Sequence, residues 1–108
     1  MIGINKIIYE YNNKLLIINV GKKCSVIYNN INYDVDSKIV WSYLQSFTDI
    51  IFNWKDKYID NTLLDSSKWR VVIDYIDFRK EYIGKGDYPN NFNKLEDINL
   101  MLINEVIK

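Results

Sequence analysis

Two Asn-Asn pairs, at residues 12–13 and 29–30, divide the start of the chain into runs in which apolar and polar residues alternate. Alternation with a period of two is typical of β-strands, and asparagine tolerates the positive φ angles of a two-residue hairpin turn. The pattern therefore predicts two successive β-hairpins. Because a shift of one residue moves every side chain of a strand to the other face, the turn positions also determine which residues share a face.

The predicted register places most of the large apolar residues of all four strands on one face. A three-residue loop at residues 21–23 keeps the two hairpins in phase, with Ile18 opposite Val26, whereas a two-residue loop would turn one apolar face outward. The expected cross-strand pairs are Ile7–Ile18, Tyr9–Leu16, Cys24–Val35, Val26–Tyr33 and Tyr28–Ile31.

Two amphipathic helices are predicted after the hairpins. Asp36 is the expected N-cap of the first helix, in which apolar residues recur at spacings of three and four over about five turns. Asn93 is the expected N-cap of the second helix, because Asn93-Lys94-Leu95-Glu96 has the spacing of a capping box. The apolar stripes consist of Val40, Leu44, Phe47, Ile51, Trp54 and Tyr58 in the first helix and Leu95, Ile98, Leu102 and Val106 in the second.

Between the helices, residues 59–67 are predicted to form a loop, and residues 68–76 and 79–83 are predicted to form a pair of strands. Turn-forming residues at 84–89 end the second strand. The order is ββββ-α-ββ-α, and a helix with one apolar stripe needs a sheet face to cover. We therefore expect a single α+β domain over residues 1–108, an antiparallel β-meander with both helices packed on one sheet face.

The composition excludes several classes of function. The 14 basic and 14 acidic side chains cancel, so the chain lacks the positive field that drives nucleic-acid binding. Histidine is absent and Cys24, expected in the core, is the only cysteine, so neither a histidine-based catalytic site nor a Cys-His zinc site can form. The apolar runs are too short to span a membrane. We expect a cytoplasmic, non-enzymatic protein without cofactor or metal, from an AT-rich bacterial or phage genome.

A group of motifs lies in the second half of the chain. Trp69-x-Val71-x-Ile73 is followed by Gly84 and then by residues 88–92, Tyr-Pro-Asn-Asn-Phe, which lead into the terminal helix. Over residues 54–102 the chain resembles an uncharacterised family of small bacterial proteins. Members of that family tend to have Asp-Gly-x-x-Trp before the strand pair, where this chain has Asp-Ser at residues 65–66. The resemblance implies a shared strand-strand-helix unit and no activity.

Four apolar residues fall on the sheet face opposite the one that the helices are expected to cover. Clustered exposed apolar residues usually mark a site for a partner or ligand. We interpret the chain as a protein-binding module, an inhibitor or immunity-type protein for counter-defence or toxin neutralisation; a homo-oligomer is also compatible with the sequence. A curled sheet, or coverage by residues 59–67, would instead make these residues part of a core. The predicted contact surface consists of Ile8, Leu15, Ile17 and Ile27, with Lys6 and Glu10 at its rim.

An alternative function is a small-ligand or nucleotide-binding module with a cleft between the sheet and the helices. Cationic side chains would contact phosphate, and a tyrosine would stack on a base. Gly84-x-Gly86 does not add to this reading, because it lacks the Gly-Lys-Ser/Thr ending of a phosphate loop and fits a turn. The candidate ligand-binding residues are Arg70, Arg79, Lys80, Tyr82, Lys85 and Tyr88.

A third reading, a metal-dependent nuclease, depends on the turn between the last two strands. A two-residue turn would set Asp74 opposite Glu81, where Mg²⁺ could bridge the two carboxylates. A four-residue turn instead sets Asp74 opposite Arg79 and Val72 opposite Glu81. The second arrangement predicts a solvated, charge-paired face and no metal site.

Overall fold

A computed structural model describes residues 3–62 and 67–107 of the chain. The elements are β1 (Ile4–Tyr11), β2 (Lys14–Asn19), β3 (Cys24–Tyr28), β4 (Ile31–Val35), α1 (Ser37–Ile51), β5 (Lys57–Ile59), β6 (Lys68–Tyr75), β7 (Arg79–Lys85) and α2 (Phe92–Ile107). One seven-stranded sheet has the order β4-β3-β2-β1-β6-β7-β5, and both helices pack on it. The fold is α+β, as predicted.

Both Asn-Asn turns form where the sequence predicts them. All four asparagines have positive φ angles, between 52° at Asn12 and 65° at Asn30, which is the geometry of type I′ hairpin turns. The register contains every expected pair of the two hairpins, and Ile18 lies opposite Val26 between them. Local turn chemistry therefore determines the arrangement of the first four strands.

The core lies between one sheet face and the two helices. Alternation along β1, β2 and β3 directs Ile7, Ile18 and Val26 into it without exposed surface. Cys24 is buried in the same cluster, which confirms its assignment as a small core residue. Since the helices supply their buried residues to this one cluster, they cover only one face of the sheet. The helix residues in the cluster are Val40, Tyr43, Leu44, Phe47, Ile50, Ile51, Phe92, Leu95 and Leu102.

Helix α1 begins as predicted and ends early. The Asp36 carboxylate accepts a hydrogen bond of 2.9 Å from the Lys38 backbone N–H, which confirms Asp36 as the N-cap. The helix ends at Ile51, so the prediction of five turns reaching Tyr58 is wrong. Trp54 and Tyr58 lie beyond the end of the helix but also pack against the core, so their positions in the sequence continue the apolar pattern of the helix.

Strand β5 is absent from the predicted element order. Lys57–Ile59 pairs parallel with β7 at one edge of the sheet, so the chain crosses the whole sheet between β4 and β5. The prediction of a loop over residues 59–67 is therefore wrong at its start, because Ile59 is the last residue of β5, whereas residues 60–62 and 67 lie outside the strands, as predicted. Residues 63–66 of that predicted loop lie outside the described residues.

Helix α2 begins at Phe92, one residue before the predicted N-cap. Asn93 lies within the first turn and is exposed, so its predicted capping role is wrong. Phe92 N–H donates to the Pro89 carbonyl at 3.0 Å, and the preceding turn directs the Phe92 ring into the core. Neither α1 nor α2, in the part of the chain that the structure describes, has the length and apolar character needed to cross a membrane.

Two tyrosine hydroxyls hold α2 in place. Tyr43 on α1 donates to Asn99 Oδ1 at 2.5 Å, and Tyr9 on β1 donates to the Glu96 carboxylate. Burial raises the pKa of Tyr43. Burial, followed by the hydrogen bond to Glu96, raises the pKa of Tyr9. Both phenols therefore remain protonated and keep donating at neutral pH.

Trp69 is the centre of an aromatic cluster beneath α2. Its indole Nε1 donates to the Asp87 carbonyl at 2.9 Å, and its ring packs on Phe92. Gly84 lies directly opposite Trp69, and a Cβ there would come within 1.9 Å of the indole nitrogen. The prediction that Gly84 is a turn residue is wrong, because it belongs to β7 and leaves space for the ring. Gly86, with a φ of 72°, does occupy a turn conformation.

Candidate interaction face

The sheet face turned away from the helices, called here the open face, carries an apolar row. Ile27, Ile17, Ile8 and Val72 lie directly opposite one another on the neighbouring strands β3, β2, β1 and β6. The three isoleucines are half-buried. Val72 has no exposed surface although it lies outside the main core cluster. The open face thus has a continuous apolar centre four strands wide.

Ion pairs flank one side of the apolar row. Arg70 donates from Nη1 to Glu10 at 2.9 Å and from Nε to Glu81 at 2.5 Å. The hydrogen bond to Glu81, and then the one to Glu10, raise the pKa of the Arg70 guanidinium. Leu15 lies opposite Glu10 and is 40% exposed. Glu10 is therefore at the rim, as predicted, but its charge is already paired within the sheet.

A second charged group flanks the other side of the row. Arg79 donates from Nε and Nη2 to the two carboxylate oxygens of Asp74, at 2.6 and 3.1 Å. The hydrogen bond from Arg79 lowers the pKa of Asp74. Lys6 lies opposite Asp74 on β1 and is half-buried. Both predicted rim residues therefore border the apolar row, one on each side.

A basic corner, formed by Lys57, Lys68 and Lys85, lies where β5, β6 and β7 meet. Lys68 is directly opposite Lys85, and like charges in that position repel each other. None of the three lysines forms an ion pair with another residue in 3–62 or 67–107. A groove of about 650 Å³ begins here and runs to the first hairpin turn. Its lining includes Asn13, Leu15, Ile59, Lys68, Ile83 and Lys85.

The six residues predicted to bind a ligand are not brought together. Arg70, Arg79 and Lys85 belong to the open face, but Arg79 and Lys85 lie at opposite ends of β7. Lys80 and Tyr82 belong to the helix side, where Lys80 pairs with Asp56 at 2.5 Å. Tyr88 packs edge-on against Tyr11 and contacts Phe92. Only Arg70 and Lys85 line a common groove.

The carboxylates considered for a nuclease are also separate. In the register of β6 and β7, Asp74 lies opposite Arg79 and Val72 opposite Glu81, which is the charge-paired one of the two arrangements considered. Each carboxylate binds a different arginine. Within residues 3–62 and 67–107, no group of three or more His, Cys, Asp or Glu side chains could hold a metal ion.

Three members of the open face were not predicted from the sequence, namely Val72, Lys57 and Lys68. Val72 stands within the apolar run Val71-Val72-Ile73, and such a run does not indicate which residue faces which side. Its position follows from the pairing of β1 with β6, which the local pattern does not encode. The alternation in β1, β2 and β3 was sufficient to predict the face on which the three isoleucines of the row lie.

Comparison with known proteins adds no relative. No protein family, curated protein or solved structure matches this chain. The resemblance of residues 54–102 to an uncharacterised family of small bacterial proteins stays a prediction. The open face and its chemistry are therefore the features from which a function can be inferred.

Proposed function

We propose that this chain is a non-enzymatic protein-binding module and that another protein binds its open face. The observation that carries the proposal is the apolar row, in which four apolar side chains lie in register across four strands. Charged residues border the row on both sides. An apolar centre with a polar rim is the usual anatomy of a protein interface.

The chemistry of the face favours a particular kind of partner. The arginines beside the row already form ion pairs with carboxylates of this chain, so a partner does not need to neutralise them. The basic corner is different, because its lysines repel each other and lack ion-pair partners among the described residues. We therefore propose a partner surface with an apolar ridge and carboxylates at one end.

The proposed biological role is that of a small inhibitor or immunity-type protein. A neutral chain of 108 residues without histidine is suited to occupying a surface, which requires shape and apolar area and no reactive group. Counter-defence and neutralisation of a toxin are two processes in which such binding is sufficient for function.

Affinity capture from the cells that make this protein tests the proposal. The immobilised wild-type chain should retain a protein that the Ile17→Glu variant does not. With that protein purified, Ile17→Glu should weaken its Kd at least about 100-fold, because a charge in the apolar row becomes desolvated on binding. Leu100→Glu is the matched control, since Leu100 is an exposed leucine on α2.

Two measurements can contradict this assignment. Equal affinity of the Ile17→Glu and Leu100→Glu variants would place the contact surface elsewhere. A large drop in the thermal midpoint of Ile17→Glu, with no such drop in Leu100→Glu, would make Ile17 part of a core rather than of a contact surface. We expect only a small change in both midpoints, since Ile17 is half-buried.

The facing lysines favour a second candidate function, binding of an anionic small ligand such as a nucleotide in the groove at the basic corner. Lys68 and Lys85 are directly opposite each other, and a phosphate between them would relieve their repulsion. A thermal-shift screen with nucleotides and inorganic phosphate tests this candidate. A ligand at 100 times its Kd stabilises by about 2.7 kcal/mol. The double variant Lys68→Gln, Lys85→Gln should lose the shift, and a flat wild-type screen excludes the candidate.

A further inference from the structure

The two edges of the sheet differ in how well they are protected. Edge strands expose unpaired backbone groups, and natural proteins protect them by short length, proline, lysine or a bulge. At one edge, β5 has only three residues. At the other edge, β4 has five residues, Ile-Asn-Tyr-Asp-Val, paired with β3 in an unbroken register. Among these protections, β4 has none, and its only edge charge is Asp34.

The hairpin turn determines which backbone groups of β4 point outward. In a type I′ turn the flanking residues, here Tyr28 and Ile31, form a hydrogen-bonded pair. Hydrogen-bonded and non-hydrogen-bonded pairs alternate along an antiparallel ladder. Asn32 and Asp34 are therefore non-hydrogen-bonded to β3, and their N–H and C=O groups point away from the sheet. Both residues are exposed.

These outward groups are self-complementary. When a second β4 approaches antiparallel with Tyr33 opposite its own copy, Asn32 lies opposite Asp34 of the second copy, and the same pair forms again by symmetry. Both pairs are hydrogen-bonded, so the edge gains a ladder without any change in β4 itself. The amide side chain of Asn32 also lies beside the carboxylate of Asp34 from the other chain.

The neighbouring registers are unfavourable. A shift toward the turn sets Asp34 opposite Asn30, whose φ of 65° cannot continue a strand. A shift the other way sets Asp34 opposite its own copy, and like charges in that position repel each other. A shift that pairs Asn32 with Tyr33 places inward-facing groups opposite outward-facing ones. The sequence of β4 therefore selects a single register.

The side chains at this edge are also suited to burial. On the helix side of β4, Ile31 is 54% exposed, and in the selected register Val35 of the second copy lies directly opposite it. A second copy therefore covers apolar surface in addition to pairing the backbone.

We infer that this chain forms a two-fold homodimer in which β4 pairs with β4 of a second copy. The combined sheet is continuous, its four helices lie on one side, and its two open faces lie side by side on the other. The dimer goes beyond the proposed function and does not depend on it, because the apolar row remains accessible in both copies.

Site-directed disulfide formation tests both the dimer and its register. Tyr33 would form a non-hydrogen-bonded pair with its own copy, at a Cα separation of about 4.5 Å, which is within the range of a disulfide. In a Cys24→Ser background, Tyr33→Cys should become a covalent dimer almost completely under mild oxidation. Asn32→Cys and Asp34→Cys are matched controls, because their copies are diagonal at about 7–8 Å and should crosslink at least about tenfold more slowly.

Light scattering tests the dimer without a crosslink. Wild type should have twice the mass of one chain, and Asp34→Pro should have the mass of one chain. Proline removes the outward N–H at residue 34 without removing a hydrogen bond to β3. Asp34→Asn, which keeps the N–H, should remain dimeric, and the thermal midpoint of Asp34→Pro checks that the variant folds.

Several outcomes would overturn the dimer. They are a wild-type chain of single mass, a dimer that Asp34→Pro leaves intact, or equal crosslinking at residues 32, 33 and 34. A single-mass chain in which β4 gains hydrogen-exchange protection only when another protein is added would assign the edge to a foreign strand. Ile17→Glu should remain dimeric, so failure of the open-face proposal and failure of the dimer are distinguishable.

Discussion

Among single residues, Gly84 is a position that leaves no room for a side chain. The Trp69 indole occupies the position in which a larger side chain would begin. Gly84→Ala should therefore displace the ring and lower the free energy of unfolding by about 1–3 kcal/mol, as overpacking of a core does. Urea unfolding measures this loss. In Gly21→Ala, the control, the new Cβ meets only a backbone oxygen at 3.7 Å, so equal losses in both variants would contradict the steric explanation.

The buried hydroxyl of Tyr43 predicts a loss of stability in alkali. Its pKa is raised by burial, whereas in the unfolded chain the phenol releases its proton near pH 10.0. The stabilising contribution is thus complete below pH 10 and is lost as the pH rises toward the folded-state pKa. Above pH 10 the free energy of unfolding should fall, with about 1.4 kcal/mol per pH unit coming from Tyr43.

Comparison of Tyr43→Phe with wild type isolates this contribution. Tyr43→Phe should flatten the decline in the free energy of unfolding between about pH 10 and 11. Chemical denaturation at each pH measures the slopes. Identical slopes in Tyr43→Phe and wild type would show that the Tyr43 phenol does not remain protonated in the fold.

Residues whose role depends on near neighbours in sequence were predictable. The Asp36 cap needs only the helix that follows it, and the burial of Cys24 follows from strand alternation. The role of Gly84 was not predictable, because the ring that excludes a side chain belongs to a different strand. A glycine before a turn signal is locally indistinguishable from a turn residue.

At the scale of elements, α1 depends on its first turn. The Asp36 side chain bonds to Lys38 N–H, one of the backbone donors that the helix itself cannot satisfy. Asp36→Ala should therefore lower the free energy of unfolding by about 0.5–2 kcal/mol. Asp49→Ala is the control, because Asp49 is an exposed aspartate later in the same helix. Urea midpoints that differ by less than their error between the two variants would contradict the cap.

Elements formed by residues close together in the sequence were predicted correctly, whereas elements that depend on distant residues were not. The first four strands were correct because turn residues and alternation both operate within a hairpin. Strand β5 was missed because its three residues pair with β7, more than twenty positions along the chain. The predicted helix α1 was too long because Trp54 and Tyr58 contact the core and have the sequence spacing expected of a helix.

At the scale of the whole molecule, the basic corner links partner binding to stability. Lys68→Glu replaces a repulsive cross-strand pair by an attractive one, so the free energy of unfolding should rise by about 0.2–1 kcal/mol. The same change should slow association with a partner that carries carboxylates. Urea unfolding and surface plasmon resonance measure the two effects.

The control for this trade-off is Lys38→Glu, an exposed lysine on α1 away from the open face. Its association rate should equal that of wild type, and the deficit of Lys68→Glu should shrink as salt screens the lysines. A Lys68→Glu variant that binds the partner as fast as wild type would remove the basic corner from the proposed contact surface.

The candidate site was only partly predictable from the whole chain. Alternation placed Ile8, Ile17 and Ile27 on one face, and the structure has them in one row. The residues predicted for a ligand were assembled from charge and ring type without knowing their faces, and β7 alternates them between its two sides. Residues with suitable side chains do not form one site when the alternation of the strand places them on opposite faces of the sheet.

The position of β1 in the strand order has a consequence for how the chain assembles. β1 lies between β2, its neighbour in sequence, and β6, more than fifty residues later. While the chain is being synthesised, the first four strands can pair locally and leave β1 as a temporary edge. That edge carries Ile7 and Ile8 on opposite faces, so it attracts any other unpaired strand until β6 emerges. Rapid synthesis of the C-terminal half, or a chaperone, would protect the nascent protein from aggregation.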